Sequence, residues 1–186
     1  MDHPGLAGAR TRLREWREDD IEAILSVVDD PVIPLISEVP HGRRDRIAAL
    51  GFVTSQHQRL VDGRGWGFAF TARDDDKVLG YVGVLWIARP IGRASIGYWT
   101  CPAGRGRGLT TDAVRTVADW VLAHAGVARL EAFIEPWNTG SVRVAEGAGF
   151  QREGLMRSFA PIGGVRKDAL LYAKITGDIS GSQLSA

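Results

Sequence analysis

The alternation of apolar and polar residues divides the first third of the chain into one strand and two helices. Residues 11–16 alternate like a strand, and an apolar stripe at helical spacing with acidic residues in its first turn follows over residues 19–28. A second helix is predicted over residues 44–61. The residues that we expect on its apolar side are Ile47, Leu50, Thr54 and Leu60.

The middle of the chain predicts three strands and the most regular helix. Residues 66–72, 78–86 and 94–100 are rich in aromatic and β-branched side chains and are separated by turn-like segments, which indicates an antiparallel meander. A helix then begins at Leu109 and is expected to stop before Gly126, because glycine readily adopts the left-handed conformation after a last helical turn. Its apolar face comprises Leu109, Ala113, Val114, Val117, Ala118, Val121 and Leu122.

The last third predicts a strand over residues 129–135, a short helix opened by Asn138, and a hairpin over residues 151–175. The resulting order, β-α-α-β-β-β-α-β-α-β-β, indicates an α+β fold with a central mixed, mostly antiparallel sheet of about seven strands flanked by about four helices. We expect a single domain over residues 11–175. Residues 1–10 are interpreted as an N-terminal extension and residues 176–186 as a flexible C-terminal tail.

The composition of the chain argues against several kinds of binding partner. The 23 Lys and Arg residues are nearly balanced by 22 Asp and Glu residues, which disfavours nucleic-acid binding. No stretch has the roughly 20 apolar residues of a membrane helix, so we expect a cytoplasmic protein without a membrane partner. A single cysteine excludes an intramolecular disulfide and a zinc site built on several thiolates. No metal is expected, because His41, His57 and His124 lack the spacing of metal ligands.

The segment 105–110 carries the clearest chemical signal. It leads from a predicted strand through Arg-Gly-Arg-Gly directly into a helix, whose first amides lack intrahelical acceptors and attract an anion. Glycine at positions 106 and 108 lets the backbone approach that anion, and Arg105 and Arg107 add charge. A Walker loop and a dinucleotide fingerprint both require residues that are absent here. The loop therefore predicts a phosphate site of another kind.

The pattern Arg/Gln-x-x-Gly-x-Gly/Ala fits Arg105 and Gly108, with Thr110 as a departure in the last position. A second motif, Asn-x-x-Ser followed by Gly-Phe, is met by Asn138, Ser141 and residues 149–150. Together these resemble the GNAT (Gcn5-related) N-acetyltransferase superfamily, in particular its ribosomal-protein alanine N-acetyltransferase (RimJ/RimL-like) branch. The resemblance covers residues 11–175 and includes the strand 96–99 and the segment 166–172.

The resemblance implies a GNAT-type domain that uses acetyl-CoA as cosubstrate and no metal. The acceptor is expected to be a primary amine, foremost a protein or peptide N-terminus. A small-molecule amine such as an antibiotic and a non-catalytic acyl-CoA-binding module remain alternatives, and a homodimer stays open. By resemblance, the acceptor pocket is built by residues 29–64 and 157–165. The residues expected to contact the cofactor are Trp99, Thr100, Cys101, Arg105, Gly106, Arg107, Gly108, Leu109, Thr110, Asn138, Ser141 and Arg143.

Catalysis is expected to be a direct attack of the amine on the thioester in a ternary complex. By resemblance, the thioester lies where the strands 94–100 and 129–135 separate, and a backbone amide near residues 99–101 stabilises the oxyanion. Ser141 is expected near the cofactor sulfur and Glu135 is our candidate for the general base. Three other carboxylates remain rivals, and an acyl-cysteine intermediate is disfavoured because direct attack needs no protein nucleophile. The rival carboxylates are Glu131, Glu38 and Asp168.

Overall fold

A computed structural model describes residues 3–41 and 45–178. The strands are β1 (Leu6–Ala7), β2 (Thr11–Arg14), β3 (Gly65–Ala72), β4 (Val78–Ala88), β5 (Arg93–Thr100), β6 (Arg129–Ile134), β7 (Gln151–Ile162) and β8 (Val165–Ile175). The α-helices are α1 (Ile21–Leu25), α2 (Ile33–Ile36), α3 (Arg46–Val61), α4 (Leu109–His124) and α5 (Thr139–Gly147). The predicted domain limits stay a prediction, and residues 179–186 of the proposed tail lie outside the described residues.

The strands form one eight-stranded sheet in the order β1-β2-β3-β4-β5-β6-β8-β7. The β5–β6 pair is parallel, whereas β1–β2, β2–β3, β6–β8 and β7–β8 are antiparallel. This confirms the α+β class and the mixed, mostly antiparallel sheet. The eighth strand is β1, which lies in the proposed N-terminal extension, and the additional helix is the four-residue α2.

The chain divides into two compact units. Among the described residues, the first unit contains those up to Gly83 together with Tyr98–Ala113, and the second contains Val84–Gly97 and those from Val114 to Asp178. An aromatic cluster forms the core of the first unit, in which the ring of Trp16 lies 5.4 Å from Phe52 and 5.9 Å from Trp99 between centroids. Four aromatic side chains share this cluster and are buried. They are Trp16, Phe52, Tyr81 and Trp99.

The apolar side predicted for α3 is wrong at two positions, although Leu50 is partly buried and packs against the core of the first unit. Ile47 is 81% exposed and Thr54 is exposed, whereas Phe52 and Arg59 are buried. The apolar pattern did not identify the buried side because α3 buries polar as well as apolar side chains. The Arg59 guanidinium, for example, donates to the Tyr81 hydroxyl and to the Glu38 carboxylate. A buried, hydrogen-bonded arginine looks like a surface residue in the sequence. The complete set of buried residues on α3 is Ala49, Phe52, Val53, Gln56 and Arg59.

The other long helix follows its sequence pattern. All seven residues predicted on the apolar face of α4 are buried. The helix ends at His124, and Gly126 has the left-handed φ of 72° that we expected after its last turn. In the second unit, Lys174 of β8 donates to Asp119 of α4 at 2.5 Å and to the Ala148 carbonyl at 3.0 Å. This buried lysine is therefore paired with a carboxylate, as burial of a charge requires.

Candidate functional site

The loop ahead of α4 is fixed at its first residue and turns at two glycines. The Cys101 N–H donates to the Leu79 carbonyl at 2.8 Å, and a 3-10 turn, Pro102–Gly104, follows. Gly106 and Gly108 then have φ values of 71° and 70°, which confirms that both positions need the left-handed conformation. The chain enters α4 directly at Leu109. The exposed loop therefore presents the amino end of a 16-residue helix, where anions bind favourably.

The two arginines of this loop differ in their partners. Arg105 donates from Nη2 to Asp30 Oδ2 at 2.5 Å and from Nε to the Thr100 carbonyl at 3.3 Å. Arg107 is exposed and makes no ion pair within the part of the chain that the structure describes. Arg105 therefore anchors the loop to the segment before α2, whereas Arg107, among the described residues, is the loop arginine without an ion pair.

Asp30 is held in its ionised form by this arrangement. Partial burial raises the pKa of the Asp30 carboxyl, but the N–H of Ile33 and the Arg105 guanidinium lower it more, so that the net pKa lies below its ordinary value. Its Oδ1 also accepts from the backbone N–H of Val32 at 2.9 Å. An Asp30 that stays charged keeps Arg105 in place at neutral pH.

Thr110, the departure from the family pattern, has a local partner. Its hydroxyl lies 2.6 Å from the Thr100 hydroxyl, and the residue is 8% exposed. Two positions further along α4, Asp112 accepts from the Thr11 hydroxyl at 2.7 Å and from the Arg10 N–H at 3.0 Å. Sequence reasoning missed Asp112, although an acidic residue in the first turn of a helix is a recognisable signal. Both side chains tie the start of α4 to neighbouring strands.

The side chains of Trp99 and Cys101 belong to the core and are 5% and 4% exposed. The Trp99 ring stacks on Tyr81 with centroids 5.8 Å apart, and burial raises the pKa of the Cys101 thiol. A buried, protonated thiol is a poor nucleophile. The backbone N–H groups near residues 99–101 were expected to stabilise the oxyanion. The Cys101 N–H already donates to the Leu79 carbonyl. Contacts of these residues with a cofactor would have to come from the backbone.

In the second unit, the parallel pairing of β6 with β5 joins Arg129–Glu131 to Arg93–Ser95, whereas β6 pairs with β8 up to Ile134. Glu135, 8% exposed, follows directly after β6. Its carbonyl accepts from the Asn138 N–H at 2.9 Å. The Asn138 side chain in turn accepts from the Ser141 N–H at 3.1 Å, which confirms Asn138 as the N-cap of α5. Arg143 is exposed one turn into this helix.

The rival carboxylates have identifiable partners. Glu131 is 2% exposed and accepts from Arg93 at 2.9 Å and from Arg129 at 2.6 Å. Burial raises the pKa of Glu131, but the two guanidinium groups lower it more, and the net pKa lies below the ordinary value. Asp168 accepts from the Ser158 N–H at 2.8 Å, and Glu38 accepts from Arg59 at 2.5 Å. The Glu131 carboxylate is therefore paired with two arginines, Arg93 and Arg129.

Within residues 3–41 and 45–178, no group of three or more His, Cys, Asp or Glu side chains is arranged to hold a metal ion. None of the helices in the described part of the chain is long and apolar enough to cross a membrane.

Comparison with known proteins identifies the class. Residues 10–151 match the family described as "Acetyltransferase (GNAT) domain". A relative described as "Probable N-acetyltransferase YjcK", from Bacillus subtilis (strain 168), is 36% identical over 138 residues, which are 74% of this chain and 73% of the relative. The chain therefore belongs to the GNAT acetyltransferase family. It is an N-acetyltransferase that depends on acetyl-CoA.

Solved structures show the same fold. Mycobacterium smegmatis RimJ in complex with CoA-disulfide has a TM-score of 0.84 and 22% identity, with 97% of this chain and 91% of that chain covered. The ribosomal-protein-S5-alanine acetyltransferase from Vibrio fischeri has a TM-score of 0.77 and 20% identity, with 95% and 99% covered. The predicted likeness to RimJ-type proteins is confirmed at the level of fold.

Proposed function

We propose that the protein acetylates the α-amino group of a protein or peptide, and that the acetyl group passes directly from acetyl-CoA to the amine in a ternary complex. The observation that carries the cofactor half of this proposal is the loop at Gly106 and Gly108, which turns twice in the left-handed region and then opens α4. Support for the acceptor comes from the ribosomal-protein-S5-alanine acetyltransferase of Vibrio fischeri, a protein of like fold.

In this proposal the pyrophosphate binds to the backbone amides of Gly106–Thr110, and the exposed Arg107 adds its charge. Arg105 acts through its ion pair with Asp30, which holds the loop in the binding conformation. The backbone of Trp99, Thr100 and Cys101 contacts the arm that carries the thioester. Asn138 hydrogen-bonds the pantetheine in addition to capping α5, and Arg143 adds charge at the cofactor.

The reaction requires a neutral amine and a leaving thiolate. The amine nitrogen attacks the thioester carbonyl carbon, the carbon–sulfur bond breaks, and the sulfur takes up a proton. Glu135 is proposed as the base that accepts the amine proton, either directly or through water, and the Ser141 hydroxyl as the group that donates to the departing sulfur. Among the carboxylates considered, Glu135 is favoured over Glu131 because Glu131 is engaged by two arginines.

Acetylation of a mixed library tests the acceptor class. The library contains peptides with free α-amino groups, the same peptides blocked at the N-terminus but carrying lysine, and small amines, and the products are read by mass spectrometry alongside the release of CoA thiol. We expect acetylation of the free N-termini and little of the blocked peptides. Modification of small amines alone, or of lysine side chains alone, would overturn the proposed acceptor.

A further inference from the structure

The terminal hairpin loses its one-to-one register at two points, between Arg152 and Gly154 and between Met156 and Ala160, and the second is the larger irregularity. Met156 pairs with Ala169 and Ala160 pairs with Lys167, so that three residues of β7 face a single residue of β8. Ser158, in the middle of this bulge, has a φ of 53°, the only positive φ of a non-glycine residue within residues 3–41 and 45–178. Such a conformation is disfavoured for residues with a Cβ and persists where the surroundings enforce it.

Two charged side chains of β8 enforce the bulge. Asp168 accepts from the Ser158 N–H at 2.8 Å. Arg166 donates from Nε to the Ser158 carbonyl at 3.0 Å and to its hydroxyl at 2.8 Å, and from Nη2 to the Ser158 carbonyl at 2.6 Å and the Phe159 carbonyl at 3.2 Å. Both side chains are thus directed at the bulge, which makes it a defined feature of the hairpin.

The bulge brings Phe159 back over the sheet. Phe133 of β6 pairs with Leu171 of β8, which pairs with Gly154 of β7. Five positions further along a regular strand, residue 159 would lie on the order of 15 Å beyond the level of Phe133. Instead the two rings are stacked with centroids 4.7 Å apart and an interplanar angle of 19°. The bulge, at which β7 advances four positions against two of β8, therefore brings residue 159 closer to the level of Phe133.

Phe133 of the stacked pair lies two residues before the proposed base. Side chains alternate along a strand, so Glu131 and Phe133 share one face of β6. Glu135 is the first residue after this strand. Phe159 is 37% exposed in spite of the polar contacts that fix its backbone. A partly exposed aromatic surface that includes a residue of the strand leading to the proposed base is suited to contact a substrate.

We propose that Phe133 and Phe159 select the acceptor by contacting the apolar side chain or aliphatic chain that neighbours its amine. The inference rests on the proposed function, in which Glu135 lies at the amine. Phenyl rings carry no hydrogen-bonding group, so this surface favours an apolar neighbour and disfavours a charged one. Arg166 and Asp168 are positioning residues, because they hold the backbone at Ser158 and thereby place the Phe159 ring.

The decisive measurement is kcat/KM for peptides that differ only in their first residue, apolar (Leu, Met) or polar (Ser, Asp). We expect the wild type to prefer the apolar set by about tenfold or more, a range typical of apolar pockets. Phe159→Ala should lower kcat/KM for the apolar set by about 10–100-fold and change the polar set little, with the Kd for acetyl-CoA unchanged. Leu155→Ala, a half-exposed residue on the same strand, is the matched control and should keep the preference.

Variants of the bulge distinguish a loss of Phe159 placement from a loss of folding. Asp168→Ala removes the acceptor of the Ser158 N–H and should reduce the preference, whereas Asp168→Asn retains an acceptor oxygen and should restore it. Ser158→Gly tolerates the positive φ and should leave the preference intact. Thermal melting verifies that each variant is folded.

Equal losses for all first residues in Phe159→Ala, or an unchanged preference, would overturn the selecting role. A wild type that modifies only small amines would refute the proposed acceptor alone. The selecting role would then be decided by comparing aliphatic with hydroxylated small amines in the same variants.

Discussion

At the scale of single residues, the glycines of the loop before α4 set its backbone conformation and the arginines supply its charge. Gly106 and Gly108 both have positive φ, but only Gly108 has a close neighbour at its Cβ position, the Arg10 guanidinium at 3.1 Å. Arg105 is engaged by Asp30, and Arg107 faces solvent. A charged and an uncharged side chain of similar shape at position 108 can therefore distinguish an effect of charge from an effect of the added side chain.

Gly108→Asp is expected to abolish acetyl-CoA binding, because a carboxylate would crowd and repel the pyrophosphate. Gly108→Asn is the matched control, since asparagine has nearly the same shape without the charge and tolerates the left-handed region. It should weaken binding far less. Titration calorimetry with acetyl-CoA measures both, and equal dissociation constants for the two variants would contradict a charge-based effect.

Ser141 and Asn138 have distinct roles in α5 that two variants can separate. The cap is a hydrogen bond from the Ser141 N–H to the Asn138 side chain, which Ser141→Ala leaves in place. We expect Ser141→Ala to lower turnover with little change in stability, and Asn138→Ala to reduce the free energy of unfolding by about 0.5–2 kcal/mol. Denaturant titration and steady-state kinetics measure the two effects. Wild-type turnover in folded Ser141→Ala would remove the proposed catalytic role of its hydroxyl.

Glu135→Gln should lower the rate most at low pH. An α-amino group has a pKa of about 8, so below that value the neutral amine becomes tenfold scarcer with each pH unit and the base matters more. The deficit should shrink as pH approaches the pKa of the amine, with the Kd for acetyl-CoA unchanged. A pH–rate profile from about pH 6 to 9 measures this. A small, uniform loss across that range would identify Glu135 as an acceptor-binding or structural residue.

Glu131→Gln is the control for this experiment. The depressed pKa of Glu131 means that its ionised form stabilises the fold above the ordinary carboxyl pKa, and that this contribution is lost as pH falls through the depressed value. At neutral pH the variant should therefore reduce stability, because Arg93 and Arg129 lose their anionic partner. Any loss of rate in Glu131→Gln should not shrink as pH approaches the pKa of the amine.

Local signals explain which site residues could be predicted. The Asn138 cap and the left-handed glycines at 106 and 108 depend on neighbouring residues only, so the sequence indicated them correctly. The partner of Arg105 is Asp30, 75 residues away in the chain. No short-range pattern predicts such a pair, and for this reason both arginines of the loop were expected to play the same part.

At the scale of elements, α3 and α4 show when an apolar stripe is informative. In α4 the stripe is regular, and the helix buries it as predicted. In α3 the side facing the aromatic cluster includes Gln56 and Arg59, while Ile47 and Val61 at its ends are exposed. The tertiary contacts of Phe52 with Trp16, Tyr81 and Trp99 determine which face is buried, and the sequence of the helix alone does not contain them.

Phe52→Ala and Ile47→Ala test the corrected face of α3. Phe52 is 4% exposed, so its truncation should reduce the free energy of unfolding by about 3–5 kcal/mol. Ile47 is 81% exposed, and its truncation should change stability by about 0.5 kcal/mol or less. Urea denaturation followed by far-UV circular dichroism measures both. Similar losses in the two variants would support the originally predicted face.

At the scale of the whole molecule, the sequence predicted the class of the fold more fully than its topology. Strand periods and helix stripes are local, and they gave the α+β element order. The position of β8 between β6 and β7 depends on pairing over long sequence distances, such as Glu131 with Ala173. The motifs that indicated the family, at Arg105–Gly108 and Asn138–Ser141, are themselves short, which is why the family could be named before the strand order was known.

Direct transfer predicts a kinetic pattern for the intact enzyme. Both substrates must be bound together, so double-reciprocal plots at several fixed acceptor concentrations should intersect, whereas an acyl-enzyme route gives parallel lines. The structure favours the first, because the single cysteine of the chain, Cys101, is 4% exposed and burial raises the pKa of its thiol. Intact mass after incubation with acetyl-CoA alone should show no added acetyl group. Parallel lines together with an acetylated protein would contradict direct attack.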